Sequence, residues 1–165
     1  HALSPLHRLG RSLDWPRRSP SQWAMAHALG TGTRRMRTLS WADFDRALDS
    51  AVARLASCSL SGVYGVPRGG LVLAVCLSHR LGIPLLEQPQ AGCLVVDDIY
   101  ETGRTVAPYR ERSDLTTLVW ISKVPPLWWQ ALEVQADPEW ILFPWENAEA
   151  ALADEEQYRA SRSHD

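Results

Sequence analysis

Apolar residues recur at threes and fours through Trp41, Phe44, Leu48, Val52 and Leu55, which predicts an amphipathic helix over about 41–56. Ser40 stands where an N-cap is needed, and Asp43 places a carboxylate in the first turn. A short β-rich run follows at 62–66 and stops at Pro67-Arg68-Gly69-Gly70. Residues 71–81 are apolar on most faces and read as a helix, with Gly82 as its stop ahead of Pro84. Residues 83–86 read as a short strand. The run 93–96 has the continuous apolar pattern of a buried strand and leads straight into Asp97-Asp98. A short helix is predicted over 105–112, broken early by Pro108, then strands at 115–122 and 140–143 and a solvated helix at 148–158. Strand and helix alternate through the middle of the chain. That order predicts an α/β fold with a largely parallel central sheet flanked by helices.

The flanks read differently. Residues 1–37 hold seven arginines against one acid, Asp14, with Pro5, Pro16 and Pro20, and show no persistent period. They read as a loosely ordered Arg-rich arm. Residues 38–146 form the folded domain and 147–165 an acidic tail.

Composition narrows the classes. The chain of 165 residues supports one core, and its hydrophobic content of 45% suits a globular protein. A net charge of −2 argues against a nucleic-acid binder. No stretch reaches the length of a membrane span, and the first ten residues lack the apolar centre of a secretory signal. Cys58, Cys76 and Cys93 are odd in number and lie in apolar runs, which suits core residues in a reducing cytoplasm rather than a disulfide framework. Lys123 is the only lysine among the seventeen basic residues, so a compact ammonium can come from one place alone.

Three strand ends carry residues that a plain scaffold does not need, and in a parallel sheet they face one crevice. The first is Val95-Val96-Asp97-Asp98-Ile99-Tyr100-Glu101-Thr102-Gly103-Arg104-Thr105. Adjacent carboxylates repel unless they meet hydroxyls or a cation. The Thr-Gly-Arg-Thr that follows offers hydroxyls and backbone N–H groups at a loop entering a helix, which are the means of holding a phosphate. Together they describe a site for a sugar diol and its phosphate. The second is Tyr64-Gly65-Val66-Pro67-Arg68-Gly69-Gly70, where two glycines allow close backbone approach beside a cation. The third is Lys123, with Trp140-Ile141 further on.

The first run resembles the motif for phosphoribosyl pyrophosphate (PRPP) of the type I phosphoribosyltransferases: apolar residues, two acids, two variable positions, an acid, then Thr-Gly-x-Thr. The second is similar to that family's pyrophosphate loop, and Lys123 with Trp140 and Ile141 resembles the base site of its 6-oxopurine branch, the xanthine-guanine and hypoxanthine-guanine enzymes. The resemblance spans roughly 38–146. It implies transfer of a phosphoribosyl group from PRPP to a purine base, with Mg²⁺ as cofactor and pyrophosphate as leaving group. Asp97 and Asp98 hold the ribose hydroxyls and the metal, and Thr102, Gly103, Arg104 and Thr105 cradle the 5′-phosphate. Arg68 and Gly69 hold the pyrophosphate, and Glu101 exchanges a proton near N7 of the base. Lys123 meets the purine 6-oxygen, while Trp140 and Ile141 form the base seat. The partners implied are PRPP and a purine base, with no membrane or nucleic acid, in a homo-oligomer.

Two departures from the family pattern stand out. Glu101 occupies a position usually held by Asp. The segment 87–92 is too short for the long mobile loop that closes over PRPP in family enzymes. A non-catalytic phosphoribosyl or nucleotide sensor on the same fold is therefore the rival reading. His79 reads as a structural histidine, and Trp128-Trp129 as packing under the base loop or as a subunit contact.

Overall fold

The computed structural model describes residues 35–162. Most of the Arg-rich arm lies outside the described residues, but its last two residues open a strand. In chain order the elements are β1 (Met36–Thr38), α1 (Trp41–Leu55), β2 (Val63–Gly65), α2 (Gly69–Leu81), β3 (Leu94–Tyr100), a 3-10 turn (Ala107–Tyr109), β4 (Thr116–Ser122), β5 (Gln130–Val134), β6 (Trp140–Leu142) and α3 (Ala148–Arg162). The main sheet is entirely parallel, in the order β2-β3-β4-β5, and β1 pairs in parallel with β6 in a separate two-stranded sheet. This is the α/β architecture expected from the alternation of patterns.

Helix α1 starts where Ser40 predicts. Its hydroxyl accepts the Asp43 N–H at 3.1 Å, and the Asp43 carboxylate accepts the Ser40 N–H at 2.7 Å, a complete capping box. Phe44, Leu48, Ala51 and Leu55 from α1 and Leu73, Ala74 and Leu77 from α2 pack together on one face of the sheet, against Val63, Leu94, Val96, Leu118 and Trp120. The other face carries a smaller cluster of Val66, Cys93, Val95, Val106 and Leu115, covered by the connection from β3 to β4. Alternate residues of β3 thus serve opposite faces, and this alternation later decides where each acid points.

Several sequence expectations are corrected. Strand β3 runs on through the two acids to Tyr100, because β4 pairs with it along its whole length up to Tyr100↔Ser122. The predicted helix at 105–112 is reduced to one 3-10 turn, with Pro108 inside it. The predicted strand at 83–86 amounts to a single bridge between Leu85 and Val63. Strand β5 was not predicted; it is tied to α1 by the Arg54 guanidinium, which donates to the carbonyl of Ala131 at 2.8 Å. The acidic tail does hold a helix, α3, seated through Ala151 and Glu155. His79 is exposed rather than built into the core. Cys58, Cys76 and Cys93 are all unpaired, and burial pushes each thiol pKa up. Among the described residues no helix is long and apolar enough to cross a membrane.

Candidate active site

The carboxyl ends of β2, β3 and β4 open on one edge of the main sheet, and three of the sequence-predicted groups meet there. Asp97 and Asp98 are consecutive in β3, so their side chains leave opposite faces. Asp97 is buried, and protein donors reach both of its oxygens: Oδ1 accepts the Asp98 N–H at 2.9 Å and Oδ2 accepts the Thr105 hydroxyl at 2.8 Å. It therefore anchors the loop 101–105 to the strand. Asp98 points the other way, toward the start of α2. A Cβ placed on Gly69 would lie 1.8 Å from Asp98 Oδ2, so only glycine lets the backbone come this close to the carboxylate. Gly70 is packed similarly against the Val96 carbonyl, which a Cβ would meet at 2.4 Å. Arg68 stands exposed at the N-cap of α2, which has no side-chain cap; the Gly70 N–H donates to the Val66 carbonyl at 2.9 Å and the Leu71 N–H to the Arg68 carbonyl at 3.1 Å.

Electrostatics follow from this packing. Burial pushes the Asp98 pKa up to about 8, with the neighbouring Asp97 and then Glu146 adding to the effect. Asp97 also shifts upward through burial, opposed by its hydrogen bond from Thr105. Glu146 was not singled out from the sequence. Its carboxylate accepts the Phe143 N–H at 2.8 Å and lies in the electrostatic reach of both Asp98 and Arg68. Its own pKa is raised, first by burial. The only sequence signal was its place, six residues beyond Trp140 at the edge of the acidic tail.

The phosphate-type loop is built on Gly103, which is buried with φ 76°, a conformation that favours glycine. Thr102, Arg104 and Thr105 are exposed around it, and Glu101 is half-buried. Lys123 follows β4 directly and is only 3% exposed. Its ammonium donates to the carbonyls of Glu139 at 2.6 Å and Asp137 at 3.1 Å. Burial lowers the Lys123 pKa, opposed by Asp137, Glu101 and Glu139. Lys123 thus grips the chain just ahead of Trp140. Trp140 is half-buried, with its indole N–H buried and lacking an acceptor and with Tyr158 of α3 against its ring at 5.8 Å. The Ile141 side chain goes into the main core, so only its backbone is left for a ligand.

A Mg²⁺ ion fits the donors. Asp98 offers a hard oxygen whose charge is costly without a cation, and Mg²⁺ is commonly held by one or two carboxylates together with substrate oxygens. Among the described residues no group of three or more His, Cys, Asp or Glu could hold a metal ion.

This parallel sheet, with an acid pair at the end of β3, a glycine turn after β2 and a Thr-Gly-x-Thr turn beyond the acids, has the type I phosphoribosyltransferase fold. No family model matches the chain. In sequence the chain is similar to xanthine-guanine phosphoribosyltransferases. It is 28% identical over 134 residues to a xanthine-guanine phosphoribosyltransferase of Chromohalobacter salexigens, covering 66% of this chain and 83% of that one. The corresponding enzyme of Idiomarina loihiensis is 28% identical over 137 residues, with 66% and 85% covered. Among solved structures, a purine phosphoribosyltransferase from Pyrococcus horikoshii superposes with a TM-score of 0.56 at 27% identity, covering 68% of this chain and 94% of that one. A xanthine-guanine-hypoxanthine phosphoribosyltransferase of Helicobacter pylori shares the fold with a TM-score of 0.54 at 20% identity, covering 73% and 99%.

Proposed function

We propose that this protein transfers the phosphoribosyl group of PRPP to a 6-oxopurine, giving a nucleoside 5′-monophosphate and pyrophosphate. The observation that carries this reading is the meeting of Asp98, Gly69 and the Asp97-anchored loop 101–105 at one sheet edge. The bond from C1′ to the pyrophosphate oxygen breaks and a bond from C1′ to a purine ring nitrogen forms. Thr102, Gly103, Arg104 and Thr105 hold the 5′-phosphate, and Asp98, with Asp97 behind it, takes the ribose hydroxyls. Arg68 and the Gly69 backbone hold the leaving pyrophosphate, whose charge grows as the bond breaks. Mg²⁺ held by Asp98, when bound, would add charge neutralisation on the diphosphate, while Asp97 stays committed to Thr105 and the Asp98 N–H. Glu101 exchanges the proton at N7 of the base. Trp140 gives the flat ring an aromatic neighbour, and Lys123 sets the base seat by holding the chain just ahead of Trp140.

A reducing cytoplasm suits the three unpaired thiols. A homo-oligomer suits Leu71 and Val75, one turn apart and both 41% exposed on α2. The test is incubation with PRPP, Mg²⁺ and each of guanine, xanthine, hypoxanthine and adenine, with chromatography of the products. A monophosphate from a 6-oxopurine supports the reading. PRPP binding without transfer to any base replaces it with the sensor.

A further inference from the structure

The loop 101–105 has little helix behind it. It passes into the single 3-10 turn Ala107–Tyr109, where Pro108 supplies no N–H to extend a helix. An aromatic stack stands behind it instead. Tyr100, the last residue of β3, lies flat on Trp129 with ring centroids 3.7 Å apart and planes 7° from parallel. Gly103 rests on the phenol: a Cβ there would lie 2.3 Å from Tyr100 Oη and 2.6 Å from its Cζ. Trp129 is 5% exposed and held from its far side. Its indole N–H donates to Ser122 Oγ at 3.3 Å, the Ser122 hydroxyl donates to the Val124 carbonyl at 2.6 Å, and Trp128 meets it edge-on at 5.6 Å. The Lys123 N–H closes the circuit by donating to the Tyr100 carbonyl at 2.8 Å. A continuous path of contact therefore runs from the end of β4, through two stacked rings, to the turn of the loop.

We propose that Trp129 and Tyr100 are positioning residues that hold the phosphate-cradling loop in its binding conformation, in place of a supporting helix. The proposal rests on the reading above that this loop binds the 5′-phosphate. Backbone donors bind a phosphate only when their N–H vectors converge, and a loop that spends part of its time elsewhere loses affinity by the fraction competent. The stack reaches the base side only through the Lys123 backbone N–H on the Tyr100 carbonyl, whereas Gly103 rests on the ring itself, so the larger effect falls on the phosphate side of the substrate.

The experiment compares the wild-type protein with Trp129→Leu and Trp129→Phe. It reads hydrogen exchange of the 101–107 amides, the Kd of ribose 5-phosphate as a probe, and the KM values for PRPP and base. Trp129→Leu is expected to speed exchange in that segment and weaken ribose 5-phosphate about tenfold, with the PRPP KM rising alike and the base KM within about twofold. Trp129→Phe, which keeps a ring on Tyr100, is expected to restore both within about threefold. Unchanged exchange and affinity in a folded Trp129→Leu overturns the proposal, as does an equal rise in both KM values. If Trp129→Leu does not fold by circular dichroism, Tyr100→Leu carries the same comparison. Wild-type protein that binds ribose 5-phosphate but transfers nothing defeats the transferase reading alone, and the variants still decide the positioning role. Wild-type protein that does not bind ribose 5-phosphate overturns this proposal as well.

Discussion

Asp98→Asn is expected to make the ligand-free protein more stable and to abolish ligand binding, with both effects traceable to one carboxylate. In the folded chain the Asp98 pKa is pushed from 3.8 to about 8, first by burial and then by Asp97 and Glu146. The unfolded chain releases this proton near pH 4 while the folded chain keeps it to near pH 8, so wild-type stability falls as pH rises through that window. Each unit of pKa difference corresponds to about 1.4 kcal/mol, which sets an upper limit of about 6 kcal/mol. The carboxyl is partly exposed, so solvent screening discounts this to about 2 kcal/mol, developed over the lower part of that window. An amide at this position carries no charge, so the gain from Asp98→Asn grows from near zero at pH 4 to about 2 kcal/mol at pH 8, or about 4–8 °C in Tm. Urea unfolding from pH 5 to pH 8.5 without divalent metal reads the difference. With PRPP and Mg²⁺ at about a hundred times Kd the order reverses: the wild type gains about 2.7 kcal/mol and the variant gains nothing. Parallel pH slopes for the two proteins, or a variant less stable at pH 8, would refute the assignment of the buried charge to Asp98.

Gly69→Ala places a Cβ 1.8 Å from Asp98 Oδ2 and must displace the carboxylate. The expected result is a loss of about a hundredfold in kcat/KM with only about 1–3 kcal/mol of stability, checked by steady-state kinetics beside thermal melts. Lys123→Ala removes the donor to the buried carbonyls of Asp137 and Glu139. It is expected to cost about 1–3 kcal/mol and to raise the KM for base about tenfold, with the PRPP KM little changed.

The parts of the fold legible in the sequence were those with local causes. Helix α1 announced itself through Ser40, Asp43 and a long apolar period, and a capping box needs nothing beyond its own first turn. Strand β5 had no such cause. Its residues Gln130-Ala-Leu-Glu-Val134 are all half-buried at a sheet edge, and what holds them is the pairing with β4 and the Arg54 guanidinium from a distant helix. Strand β1 was lost in the arm for the same reason: three residues, paired with Trp140–Leu142 a hundred positions away. The apolar run stops at Val96, so the pattern put the two acids at the strand's end, whereas a ladder with β4 carries β3 on through both of them to Tyr100.

The site shows the same division at finer scale. Which residue types gather at the strand ends could be read from their order, since a parallel sheet sends those ends to one edge. Which way each side chain turns could not. Two neighbouring acids looked like an equal pair, yet strand alternation gives Asp97 to Thr105 and Asp98 to Gly69, so one anchors a loop and the other is left to face a ligand. Lys123 looked free at a strand end, but it spends two N–H bonds on the chain before Trp140. The short connection at 87–92 is the case where sequence and structure agree most closely. Its length argued against a mobile cover, and the structure pins its end: Ser61 donates to the Gly92 carbonyl at 3.1 Å and, through its hydroxyl, to the Ala91 carbonyl at 2.8 Å, while the Gly92 N–H donates to Asp114 at 2.9 Å. The carboxyl end of the segment is thus fixed, and its six residues are too few to reach across as a lid. The order that a closing loop would impose on bound PRPP must then come from groups already in place, which is why the rigidity of the loop 101–105 matters more in this chain than its sequence alone suggests.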